Sequence, residues 1–264
     1  MTLITSHQNR QLKLFRSLEK RKYRAELGLI PLEGRRLVVD VLTRGVIPDI
    51  VFVRAGTTVA ECLLGQALPA STTVLTVNAK VFDQAAFTES PQGVLAIVKR
   101  PRYMLDAVFA EEPAFILVVD GIQDPGNLGT MIRSAAAAGA SGVILLPGTV
   151  DVANPKAIRA SMGAYFALPV VETTLLELHT NLQARKVNLV LASIDSSIRY
   201  DHYDWTQPVA VVIGNEGVGV SQEVKAVATN AVDIPMAHAV ESLNAAIAMS
   251  VLFFEASRQR RTHL

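Results

Sequence analysis

Cysteine is nearly absent from this chain of 264 residues. Cys62 stands alone, which excludes an internal disulfide and a cysteine-built zinc cluster and reads as a small buried apolar residue. Long apolar runs are missing too, and none approaches the ~18 residues that a membrane span needs. The opening Met-Thr-Leu-Ile-Thr-Ser-His-Gln-Asn-Arg lacks the charged-then-apolar order of a signal peptide, so a soluble cytoplasmic protein with no membrane segment is expected. His7, His179, His202, His238 and His263 show no paired spacing, and no metal is expected. A Gly-x-Ser-x-Gly elbow and a Walker A motif are both lacking. Gly121, Gly126 and Gly129 do not fall in the Gly-x-Gly-x-x-Gly spacing that a Rossmann-type nucleotide enzyme predicts.

Net charge is small, +1, but unevenly placed. Residues 1–36 carry nine Lys or Arg against three Asp or Glu. A basic cluster at one end suits a polyanion-facing surface, and equally a solvated helix face. Half the residues of the whole chain are apolar, enough for a sizeable core.

The first hundred residues alternate strands and helices. A basic helix is expected over 8–25, then a strand at 29–32, a helix opened by Glu33-Gly-Arg-Arg36, and strands at 50–53, 73–77 and 93–98. Short helices near 60–64 and 79–87 complete a small α/β domain, 1–100. Lys99-Arg-Pro-Arg102 breaks the pattern, and 101–112 reads as a linker or short helix. In 113–264 the alternation restarts, with strands at 115–120, 142–146, 169–171, 189–192, 209–213 and 232–234 and a last helix from Leu243 to about Gln259. Continuous runs such as Ala210-Val-Val-Ile213 suit strands buried on both faces. The expected C-terminal architecture is therefore a mainly parallel sheet covered by helices on both sides.

Three segments at strand ends concentrate Gly, Asn, Ser and charge. They are Asp120-Gly-Ile-Gln-Asp-Pro-Gly-Asn-Leu-Gly-Thr-Met-Ile-Arg133, Ile213-Gly-Asn-Glu-Gly-Val-Gly219 and Ile234-Pro-Met-Ala-His-Ala-Val-Glu-Ser-Leu-Asn-Ala245. Loops after the carboxyl ends of strands build the ligand site of an open α/β sheet, so one composite site is expected. Asn127 is placed as a helix N-cap, with Arg133 on the inner part of that helix beside small residues, where it wants an anionic partner. Glu216 supplies a carboxylate at a strand end, and the glycines around it let backbone approach a ligand. Ser242 is placed as the N-cap of the last helix, with Asn244 offering a further polar side chain. Ser161-Met-Gly163, after Lys156 and Arg159, reads either as a polar loop near the site or as a helix terminus.

Together the three segments resemble the motifs of the SpoU/TrmH family of RNA ribose 2′-O-methyltransferases, in the SPOUT superfamily. The likeness covers most of 106–264; over 1–100, a thinner signal in Glu33-Gly-Arg-Arg36 and the basic helix is similar to the family's substrate-binding domain, itself like ribosomal protein L30e. The resemblance implies a deep trefoil knot, an exception to the usual unknotted chain. It implies S-adenosyl-L-methionine as cofactor, held around Gly214, Asn215, Gly217, Ile234, Met236, Ser242 and Leu243, and a homodimer packed through the knotted domain. Arg133 would match the catalytic arginine, with Asn127, Glu216, Ser242 and Asn244 shaping the site. Arg10, Lys13, Arg21, Arg35 and Arg36 would meet RNA. Gly126 departs from the family, where His is frequent, and no role for that His carries over. A guanidinium stays protonated, so Arg133 is expected to stabilise alkoxide charge and hold a phosphate rather than act as a base. Large-subunit ribosomal RNA is the expected substrate; transfer RNA, whose single-domain enzymes usually lack the N-terminal module, and a non-catalytic ribosome assembly factor, which predicts a damaged cofactor site, are the alternatives.

Overall fold

The structure, a computed structural model, describes residues 3–193, 196–238 and 240–262. Ala239 and His263, both named above, lie outside these. The chain divides into two units, one of Met1–Pro101 with Asp151–Phe166 and one of Arg102–Val150 with Ala167–Leu264. Sixteen residues from the middle of the chain thus group with the first unit, beside the stretch of 1–100 expected from the sequence.

The first unit comprises β1 (Leu3–Ile4), α1 (Arg10–Ser17), α2 (Arg21–Leu27), β2 (Leu29–Glu33), α3 (Arg35–Thr43), β3 (Ile50–Arg54), α4 (Val59–Cys62), β4 (Thr73–Val77), α5 (Ala79–Ala85) and β5 (Val94–Lys99). Its sheet runs β1-β4-β3-β5-β2, with β5 antiparallel to both neighbours and the other pairs parallel. Cys62 is buried, its thiol 3.3 Å from the Gly93 carbonyl.

The single helix expected over 8–25 is two helices, α1 and α2. Leu18 turns fully into the core, and the break leaves its carbonyl and that of Glu19 without helical donors. Arg24 Nη1 donates to both, at 2.6 Å each. The other edge of the same guanidinium meets Asp151 Oδ2 through Nη2 at 2.5 Å, with the two side chains 3% and 9% exposed. Arg24 is therefore a buried clamp and no part of a basic surface. It fixes the start of Asp151–Phe166, within which α7 (Pro155–Ser161) packs on β2. Met162 ends α7 in the left-handed region, so Ser161-Met-Gly163 is a helix terminus.

The second unit holds β6 (Phe115–Asp120), α6 (Pro125–Ala138), β7 (Gly142–Leu145), β8 (Val170–Glu172), α8 (Leu175–Arg185), β9 (Asn188–Ala192), β10 (Val209–Gly214), α9 (Gln222–Val227), β11 (Asn230–Val232) and α10 (Ala245–Thr262). All six strands are parallel, in the order β11-β9-β10-β6-β7-β8. Side chains alternate across a strand. Ile116 and Val118 pack with Leu178 and Leu182 of α8 and Val224 of α9. Phe115, on the other face, stacks on Phe253 of α10 with ring centroids 4.5 Å apart. Helices therefore cover both faces. Of the two readings of 101–112, the short helix is found: a 3₁₀ turn, Leu105–Phe109, whose Val108 is fully buried in this core.

The chain steps outward from β6 through β7 to β8, then returns and inserts β10 between β9 and β6. Asp120 and Gly214, the last residues of β6 and β10, become direct partners at this switch point. Loops leaving such a point diverge and open a crevice for a ligand.

Breaking the Arg24–Asp151 pair leaves a buried guanidinium without its counter-charge. Asp151→Ala is expected to lower unfolding stability by about 3 kcal/mol, read as a shift of the thermal or urea transition.

Candidate active site

The loop after β6 leads straight into α6, whose N-cap is Asp124 rather than Asn127. Asp124 Oδ1 accepts from the Asn127 backbone at 2.8 Å, and Pro125 takes the first helical position. Proline is pre-set for that position and its missing N–H costs nothing there, so the Asp-Pro pair starts the helix three residues early. The Asn127 side chain is thereby released from capping. Its Nδ2 donates to Glu216 Oε1 at 2.7 Å, and its Oδ1 accepts from Asn244 Nδ2 at 3.1 Å. All three motifs are joined by this one amide.

Asn244 is also the N-cap of α10, a role the sequence had suggested for Ser242. Its Oδ1 accepts from the backbone of Ala246 at 2.9 Å and Ile247 at 3.3 Å. Ser242 is exposed on the coil between β11 and α10, and Ile234, Met236 and Leu243 lie half-buried along the same coil. One further pair ties α6 to α10, with Ser250 Oγ donating to Ser134 Oγ at 2.8 Å. Asn127 and Ser134 are seven apart, close to two full turns, and share the face toward α10. The seven-residue spacing is the sequence signal that puts Ser134 beside Asn127.

Arg133 is not on the inner side of α6. It is exposed, and it makes no hydrogen bond or ion pair with another described residue. Six residues make about one and two-thirds turns, which rotates Arg133 away from the face of Asn127. The small side chains after it serve the packing of Ala135 and Ala138, which are buried, while Ala137 is exposed.

The loop after β10 is held by its own side chains. Asn215 Nδ2 donates to the Gly121 carbonyl at 2.8 Å, and its Oδ1 accepts from the backbone of Gly217 at 2.8 Å and Val218 at 3.2 Å. Asp120, buried at the end of β6, accepts from the Ser221 backbone at 2.7 Å. Gly214 is glycine because the loop folds back over it: a Cβ there would lie 2.3 Å from the Gly219 carbonyl carbon and the Val220 nitrogen. At Gly217 nothing but Asn215 Oδ1, at 3.5 Å, comes near a Cβ, so this position leaves open room for a ligand.

In the first unit, Arg10, Lys13, Arg21 and Arg36 are exposed. Arg35 is half-buried, its backbone donating to Gln92 Oε1 at 3.0 Å and its Nε to the Gln92 carbonyl at 2.8 Å. Among the described residues no group of three or more His, Cys, Asp or Glu stands together as a metal site, and no helix is long and apolar enough to cross a membrane.

A wholly parallel sheet with a polar loop cluster at its switch point defines an α/β ligand-binding enzyme domain. A family model described as the SpoU rRNA Methylase family matches residues 114–254, and one described as an MRM3-like substrate binding domain matches 9–96. A Bacillus subtilis protein named 23S rRNA (guanosine(2553)-2′-O)-methyltransferase RlmP is 30% identical over 96% of this chain and 98% of its own length. The SpoU methyltransferase AviRb from Streptomyces viridochromogenes, solved with AdoMet, aligns at TM-score 0.87 and 28% identity over 97% of this chain and 99% of that one. An AdoMet-bound rRNA methyltransferase from Sinorhizobium meliloti aligns at 0.86 and 32%, over 97% of both chains. The chain belongs to the SpoU rRNA methylase family.

Gly214→Ala forces its Cβ into backbone and is expected to cost roughly 2 kcal/mol. Gly217→Ala is expected to stay within about 0.5 kcal/mol of the parent. Chemical denaturation of the two variants side by side checks the contrast.

Proposed function

We propose that this chain is an S-adenosylmethionine-dependent methyltransferase acting on a ribose 2′-hydroxyl of large-subunit (23S) ribosomal RNA in the cytoplasm. The observation that carries this reading is the Glu216–Asn127–Asn244 chain of hydrogen bonds, set at the carboxyl ends of β6 and β10 in a member of this family. The near full-length likeness to a protein named as a 23S rRNA 2′-O-methyltransferase supports the substrate.

The cofactor fits the chemistry of the loops. Asn215 spends its side chain on backbone groups, its Oδ1 within its own loop and its Nδ2 on Gly121, so backbone is what the loop offers around Gly214, Asn215 and Gly217. Ile234, Met236 and Leu243 add apolar surface and Ser242 an exposed hydroxyl, a donor set suited to a nucleoside and a thioether-like chain. When bound, S-adenosylmethionine supplies an electrophilic methyl on a sulfonium. The ribose hydroxyl is the difficult partner, a very weak acid that must lose its proton as it attacks. Arg133, exposed and uncommitted, stabilises the developing alkoxide and holds a neighbouring phosphate, while phosphate or water receives the proton. Asn127, Glu216 and Asn244 hold the three loops in one geometry, so the reacting atoms meet in line.

The second unit works as a knotted homodimer in this reading. The return of α10 from the edge strand β11 to pack on α6 supports a deep trefoil knot. Arg260 anchors that return by donating to the carbonyls of Pro113, Trp205 and Gln207 at 2.7–2.8 Å. Ile247 and Phe254, 52% and 48% exposed on one face of α10, are the apolar contact for a second copy. The first unit is the L30e-like substrate module, with RNA meeting Arg10, Lys13, Arg21, Arg35 and Arg36.

Purified protein, tritiated S-adenosylmethionine and unmodified ribosomal or transfer RNA test the reading. Alkali-resistant label in 23S rRNA is expected, with Arg133→Ala slower by about 10²–10³-fold. Full single-turnover rate in Arg133→Lys would remove the proposed role of the planar guanidinium. Label in transfer RNA alone would move the substrate, and cofactor binding without any transfer would leave a binding factor. Phe254→Glu is expected to convert a dimer to monomer by light scattering, and an unchanged mass would sink the dimer contact.

A further inference from the structure

The first unit contains a cavity of about 710 Å³ that the catalytic reading leaves unused. It opens between the start of α3, the 87–92 loop and the end of α7. Glu33 sits at its base, 6% exposed, with its carboxylate saturated by the loop. Its Oε2 accepts from the Phe87 backbone at 2.8 Å; its Oε1 accepts from the Thr88 backbone at 3.2 Å and from the Thr88 hydroxyl. Arg159, brought into the first unit on α7, places Nη1 3.9 Å from Glu33 Oε2, too far for a hydrogen bond. That nitrogen is buried and has no hydrogen-bond partner, alone in this among the buried side-chain nitrogens and oxygens of the described residues, while the Arg159 side chain as a whole is 34% exposed. Buried guanidinium donors are ordinarily satisfied, and one left open marks a missing acceptor.

The surroundings say which acceptor. Arg36 lines the cavity as a second, exposed guanidinium, and Leu37, Phe87 and Met162 give it an apolar side. Gln92 also lines it, with Oε1 already occupied by the Arg35 backbone, so its amide nitrogen is left to donate. Glu33 and Glu89 offset the two arginines in charge, which suits a single phosphodiester better than a polyphosphate. A concave, open-mouthed pocket with an apolar wall gives an unstacked base a surface to lie on, which the flat flank of a duplex does not need.

We infer that this cavity is a nucleotide subsite: it takes one splayed-out nucleotide of single-stranded RNA, its phosphodiester on Arg159 and Arg36 and its base against Leu37, Phe87 and Met162. The inference rests on the RNA-directed reading above and adds where, outside the catalytic loops, the RNA is gripped. Glu33 holds Arg159 in place by charge while leaving its hydrogen bonds for the ligand, and Gln92 offers a donor to a base carbonyl.

The test is filter binding of the full chain to a radiolabelled, protein-free 23S rRNA transcript between about 50 and 200 mM salt. Arg159→Ala and Arg36→Ala are each expected to weaken binding about tenfold and to lower the slope of log affinity against log salt by about one. Because they share one phosphate, the double variant is expected to lose less than the product of the two. S-adenosylmethionine binding by calorimetry and the thermal midpoint are expected to match the parent. Arg36 is exposed, so its variant reads the subsite even where Arg159→Ala folds poorly. Parental affinity and slope in both variants would overturn the subsite alone. A parent that binds S-adenosylmethionine but no ribosomal RNA at any salt overturns the functional reading, and the subsite with it.

Discussion

One carboxamide holds together the three loops at the carboxyl ends of the strands of the second unit. Asn127 gives a hydrogen to Glu216 and takes one from Asn244, and these residues come from loops 89 and 117 positions away in sequence. Only a group that donates and accepts at once can do this, which a carboxylate or an ammonium cannot. The arrangement goes with Asp124 capping α6, which leaves the Asn127 side chain free of the helix's own first amides and turned toward the other two loops. Registry of Asp120 against Gly214 then decides that the first two loops start side by side.

The polar residues of the loops thus divide their labour. Asp120, Asp124 and Asn215 are consumed by backbone and set the shape. Arg133, Ser242 and the open backbone at Gly217 face outward and are available to ligands. Composition alone ranks these residues together, since Asn and Asp are as common in turns as in active sites. Their separation rests on which donors the fold leaves over.

The second half of the chain was largely legible because its strands are continuous apolar runs, buried on both faces, and β6 falls where such a run predicts it, over Phe115–Asp120. The caps are hard to read in the sequence for a local reason: Asp124, followed by Pro125, outcompetes the Asn three residues later, and Asn244 lies closer than Ser242 to the first helical amides. Arg133 faces outward because six residues do not complete two turns from Asn127. In the first half, no Gly or Pro marks the break between α1 and α2. It is enforced by burial of Leu18 and by an arginine whose counter-ion is 127 residues away, which no local window contains. The two-residue strand β1 is too short to show alternation.

The clasp between Arg24 and Asp151 also sets an order of events during synthesis. A chain released only as far as Pro101 holds the whole five-stranded sheet but lacks Asp151, α7 and the cover they give to β2. The first unit therefore cannot close until residue 166 has left the ribosome, by which time β6, α6 and β7 are already outside. The two units are interleaved in time as well as in sequence. A fragment cut at the apparent boundary near residue 100 is an unfinished domain, and any transplant of this module to another enzyme must carry Asp151–Phe166 with it.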